Sequence, residues 1–192
     1  MERHSNGALH LLPVVLSAGV ALGAGCANAE PPPSHEASAA QAPAGAAAVL
    51  ARQPLPDVFS AGQPAAADWP GLAAAGITTV IDLRPDAERP DRDEAAEVKV
   101  AGLAYRQLPV AGAQDLTPEA ARTLWQAIDA APGKVLVHCA SGNRAGALLA
   151  IAAVREGGMA PSQALEAGRA AGMTSLEPRV REVLGVTASG DR

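Results

Sequence analysis

The chain has 192 residues, a formal charge of −5 at neutral pH and 2% aromatic side chains, the size of one compact domain with an extension. The acidic balance and sparse aromatics argue against a nucleic-acid partner. Two cysteines provide no disulfide framework, and the four histidines, His4, His10, His35 and His138, make no metal-ligand spacing; neither a metal nor another cofactor is expected.

Ala8 to Ala24 is almost wholly apolar, follows a head carrying Arg3 and His4, and runs into Ala27-Asn28-Ala29. Residues 1–29 therefore read as a secretory leader. Two processing sites compete: cleavage after Ala29, or lipoprotein processing before Cys26 in "LGAGC", which would acylate Cys26 and supply the sole membrane attachment. The run is shorter than the ~20 residues of a spanning helix, and Pro13 interrupts it. Either route places the mature protein beyond the inner membrane, in the periplasm. Residues 30–54, rich in Pro and Ala, read as a linker, 55–187 as the domain and 188–192 as a tail.

In the domain, "LPDVFSAGQP" gives a short strand and a turn, and "AAADWPGLAAAG" a helix stopping at Gly76. "ITTVIDLR" is a β-branched run of strand length. "RDEAAEVKVAG" puts Ala95, Val98 and Ala101 on one helical face and stops at Gly102, and "LAYRQLPV" is the next strand, closed by Pro109. Thr117-Pro118-Glu119 opens a helix with Thr as N-cap and Pro at the first helical position. That helix turns Ala121, Leu124, Trp125 and Ile128 inward until Pro132-Gly133. Strand "KVLVH" leads to "CASGNR" and then to "AGALLAIAAVREGG", apolar all round and so buried. "SQALEAGRAAG" and "EPRVREVLG" are two further helices, the last packing through Leu176, Val180, Val183 and Leu184. Alternating strands and helices predict an α/β domain: a mainly parallel central sheet flanked by helices. Ligands of such sheets sit beyond the carboxyl ends of the strands, where Cys139 falls.

Gly142 permits positive φ in the middle of "CASGNR". The amides of Ala140, Ser141, Gly142, Asn143 and Arg144 can then face inward as an anion nest at a helix N-terminus. Arg144 adds a bidentate fork, and the same positive field favours a thiolate at Cys139. A nucleophilic sulfur beneath an oxyanion cradle is a covalent-catalysis arrangement.

"VHCASGNRAGALLA", with "VFSAGQP", "TTVIDLRPDAE" and "YRQLPV" in the same order, resembles the phosphatase-like domain family of the beta-lactamase hydrolase-like proteins. This is a branch of the cysteine-dependent tyrosine and dual-specificity phosphatase fold, and the resemblance covers about 55–187. It implies phosphate-ester hydrolysis by Cys139, with Arg144 on the transferred group. Two departures stand out. Phosphatases of this type carry H-C-x5-R followed by Ser or Thr. Here four residues separate Cys139 from Arg144, and Ala145 follows. The shorter C-x4-R loop resembles that of the rhodanese sulfurtransferases, and the lost hydroxyl is one that assists thiolate departure in phosphatases.

The resemblance also implies a general acid on the loop after "YRQLPV". Asp115 is the sole carboxylate there and becomes the candidate, against a reading as a solvated residue before the Thr117 cap. Arg84 ends a strand at the same sheet edge; it either meets the substrate anion or pairs with Asp86 or Glu88. Gln63 reads as a turn residue more readily than as a ligand contact. His138 should point away from the ligand, because it precedes the nucleophile on a strand. The expected function is cysteine-dependent hydrolysis of a small anionic phosphate ester. The alternatives are a sulfurtransferase carrying a persulfide on Cys139, fed by a sulfane sulfur donor, and a non-catalytic anion-binding module.

Overall fold

The computed structural model describes residues 44–187, so the expected leader, the Cys26 site and the 188–192 tail lie outside the described residues. Four strands, β1 (Val58–Ala61), β2 (Ile77–Asp82), β3 (Ala104–Gln107) and β4 (Lys134–His138), form one sheet in the order β1-β4-β2-β3. Every pairing is parallel. β2 and β4 are buried along almost their whole length because both of their faces are covered.

Among the described residues seven α-helices cover those faces: α1 (Ala44–Val49), α2 (Trp69–Ala74), α3 (Glu94–Val100), α4 (Pro118–Asp129), α5 (Asn143–Arg155), α6 (Pro161–Ala170) and α7 (Glu177–Leu184). Alternation along β4 divides the core in two. Val135 and Val137 join Leu124, Leu148, Ile151 and Val180 beneath α4 to α7. Leu136 joins Phe59, Trp69, Leu72 and Val98 beneath α1 to α3. The expected start at Thr117 holds, its hydroxyl accepting from the Ala120 N–H at 3.1 Å; α3 is capped in the same way, the Asp93 side chain accepting from the Ala96 N–H at 3.0 Å.

The boundary expected at 55 is late. Ala46, on α1, is fully buried in the second core, so "AAAV" is domain and not linker; its small apolar residues pack as well as they link. Among the described residues no helix is long and apolar enough to cross a membrane.

Helix α5 is the pivot of the site. Its residues Ala145 to Ala153 are all buried, which the small side chains permit by allowing close approach. A Cβ at Gly146 would stand 2.5 Å from the Gly168 carbonyl oxygen of α6, so glycine there fixes how tightly the two helices meet. The first turn of α5 is thereby held at the carboxyl end of the sheet.

Candidate active site

β4 ends in His138, and the chain from Cys139 to Arg144 turns into α5. Gly142 takes φ +95° at the N-cap of that helix, a conformation that side chains with a Cβ disfavour. The turn carries the Gly142 N–H to 3.2 Å from Cys139 Sγ. Cys139 is fully buried beneath it, while Ala140 and Ser141 are exposed above. A backbone donor aimed at sulfur and the positive end of α5 both stabilise negative charge at this point.

Arg144 is held from the other side. Its Nη1 donates to the Val110 carbonyl at 2.7 Å and to Glu88 Oε1 at 2.7 Å, and Nη2 donates to Glu88 Oε2 at 2.6 Å. A guanidinium has five N–H donors, so the Nε–H and one Nη2–H are left on the edge that faces Cys139 and a bound anion. They lie side by side, as a bidentate oxyanion contact requires. The Arg144 fork keeps the Glu88 carboxyl below the usual carboxylate range, against partial burial, which pushes it up. The hydrogen bonds to Glu88 do most to favour the Arg144 cation, burial opposes it, and the neighbouring Cys139 adds to it. Glu88 thus positions Arg144, where sequence reading placed it only as a candidate partner of Arg84. Glu88→Gln should weaken the binding of inorganic phosphate at the loop about tenfold, about 1.4 kcal/mol, with the melting temperature nearly unchanged.

The remaining loop residues are tied outward. The Asn143 side chain donates to Ser175 Oγ and accepts from the Thr174 N–H, each at 2.8 Å; only its backbone serves the loop. The Gln63 N–H donates to the Ala140 carbonyl at 3.2 Å, consistent with a turn that buttresses the loop.

Arg84 does not join the anion site. Its side chain is buried, with Nε on Asp82 Oδ1 at 3.0 Å and Nη2 on Asp82 Oδ2 at 2.8 Å and Glu94 Oε2 at 2.6 Å. Asp86 and Glu88 are therefore not its partners: two buried carboxylates need a cation more than the site does. His138 Nε2 lies 2.8 Å from Glu94 Oε1 and 3.8 Å from Asp82 Oδ1, on the sheet face opposite the loop, as alternation requires. Asp82, Glu94 and His138 bring potential metal-ligand atoms within 4.8 Å of one another, a convergence that histidine spacing did not reveal. Arg84 already bonds both carboxylates, so the group reads as a balanced ion-pair cluster.

Asp115 Oδ2 accepts from the N–H groups of Ala111 at 2.8 Å and Gly112 at 3.2 Å. It shapes the loop after β3, and among the described residues no hydrogen bond or ion pair joins it to Cys139 or Arg144.

A parallel sheet that delivers a cysteine into a glycine turn, with an arginine on the first turn of the next helix, is the architecture of the cysteine-dependent phosphatase fold. A model of the beta-lactamase hydrolase-like protein, phosphatase-like domain, matches residues 50–156, and the chain belongs to that family. The Beta-lactamase hydrolase-like protein of Xylella fastidiosa (strain Temecula1) is 37% identical over 115 residues, which cover 58% of this chain and 26% of that protein. The chain thus spans about a quarter of the length of the curated relatives it matches. Among solved structures, a candidate phosphatase of the DUF442 group from Shewanella putrefaciens CN-32 is 28% identical, with a TM-score of 0.57 over 71% of this chain and 93% of that one. A candidate phosphatase from Neisseria meningitidis Z2491 is 26% identical, with a TM-score of 0.59 over 69% of this chain and 95% of that one.

Proposed function

We propose that the domain hydrolyses a small phosphate ester through Cys139. The observation that carries this reading is the Gly142 amide on Cys139 Sγ at 3.2 Å, beside the Arg144 guanidinium, two of whose donors are taken by neither Glu88 nor Val110. The Cys139 thiolate attacks phosphorus in line, the P–S bond forms and the P–O ester bond breaks. The leaving oxygen takes the electron pair and a proton from solvent water. Water then attacks phosphorus, the P–S bond breaks, and thiolate and inorganic phosphate are released. Arg144 and the amides of 140–144 hold the non-bridging oxygens throughout. Asp115 serves first by folding its loop; a proton-donor role for it belongs to esters with poor leaving groups, where Asp115→Asn would lower kcat most.

The C-x4-R spacing favours a second reading, in which Cys139 accepts sulfur from a sulfane donor and passes it to a thiol. Assays of the purified protein and its Cys139→Ser form separate the two. Phosphate release from an aryl phosphate that vanishes in Cys139→Ser supports the hydrolase. Thiocyanate or sulfide formed from thiosulfate plus an acceptor would replace it with the transferase. Silence in both assays would leave an anion-binding module.

A further inference from the structure

Arg52 lies outside the catalytic loop, yet the loop is shaped to receive it. Its backbone is fixed where the Arg52 carbonyl accepts from the Ser60 N–H at 2.9 Å, along the outer edge of β1. From there the side chain reaches Gly142 and Gly172. A Cβ at either glycine would stand 2.6 Å from Arg52 Nη1, so any other residue would displace the guanidinium. Gly142 is also the residue whose N–H meets Cys139 Sγ at 3.2 Å, and ordinary bond geometry then bounds the separation of Nη1 from Sγ at about 8 Å.

Among the described residues Arg52 has no hydrogen bond or ion pair from its guanidinium, although Arg84, Arg89, Arg92 and Arg144 all hold carboxylates. It lines a cleft beside the loop together with Gln63 and Ser141, and no carboxylate or aromatic side chain lines that cleft. A cation without a counter-ion, seated by two glycines and flanked by an amide and a hydroxyl, is complementary to an anion. The cleft offers no aromatic side chain on which an aromatic leaving group could stack.

We propose that this cleft is an accessory anion subsite, where Arg52 receives a second anionic group of the substrate while the Cys139–Arg144 loop holds the transferred phosphoryl group. The inference rests on the loop being an anion cradle. It narrows the substrate to a small compound with two anionic groups a few bonds apart, and sets it apart from a phosphotyrosine side chain. The distance bound calls for a short spacer.

Calorimetric titration of the protein with propylphosphonate and with propylene-1,3-bisphosphonate tests this without requiring turnover. The bisphosphonate should bind at least tenfold tighter than the monophosphonate. Arg52→Ala should remove that advantage and leave propylphosphonate affinity unchanged. Equal affinity of the two ligands in the unmodified protein overturns the subsite while sparing the cradle. Equal loss of both in Arg52→Ala makes Arg52 a prop for the loop and also overturns it. Failure of both ligands to bind the unmodified protein removes cradle and subsite together.

Discussion

Arg144→Ala should reduce aryl-phosphate turnover by about a thousandfold or more, at the upper end of what one preorganised oxyanion donor contributes. The unfolding transition should barely move. Both outcomes follow from the same contacts. The side chain gives three donors to Glu88 and Val110 at the protein rim and turns the other two toward Cys139 and the anion, and it fills no part of either core. Arg144→Lys should fall nearly as far, because an ammonium cannot hold Glu88 with one edge and an oxyanion with the other. Retained turnover or retained phosphonate affinity in the alanine variant would show that the loop amides suffice, and would remove the fork from the mechanism.

The second large effect belongs to stability. Arg84→Met leaves Asp82 and Glu94, both fully buried, without the cation that bonds each of them. Breaking a buried pair in this way costs about 3–5 kcal/mol, readable as a lower urea midpoint. Its pH dependence has a definite sign. Burial alone raises the Asp82 carboxyl, but the Arg84 hydrogen bonds and the His138 and Arg84 charges outweigh it and hold the group below its ordinary value. A lowered acid stabilises the fold above its unfolded value and loses that contribution as pH falls through the folded one, so the unmodified protein weakens below about pH 4. In Arg84→Met the two carboxylates take up protons sooner. The deficit should be greatest at neutral pH and shrink toward acid, and a deficit independent of pH would place the lost stability in packing.

The order of strands and helices was legible because each break carries its own chemistry: Gly76 and Gly102 after helices, Thr117-Pro118 before one, and β-branched runs between. The Cys139–Arg144 turn was legible because its parts are contiguous. The partners of its neighbours were not. Glu94 stands in the first turn of a helix, where a carboxylate ordinarily faces solvent and the helix dipole; instead it reaches His138 across the core. Arg84 looked like a ligand contact because its place on the sheet edge is visible in sequence, while the two acids that claim it converge only in three dimensions. Glu88 was visible as part of "RPDAE", but not as the residue that aims Arg144. Arg52 fell in a stretch read as linker, and nothing local marks it.

The ends of the sheet have a consequence for how the protein keeps to itself. At β1 the chain preceding the strand bonds back onto it, through the Arg52 carbonyl and the Leu55–Val58 bridge. At the opposite margin β3 is four residues long and carries Arg106 and Gln107 on exposed positions. A short ribbon with a charged side chain is a poor template for a strand from another molecule. One margin is hemmed by backbone and the other guarded by charge, so a very apolar parallel sheet can be made at high concentration with little tendency to grow into a fibre.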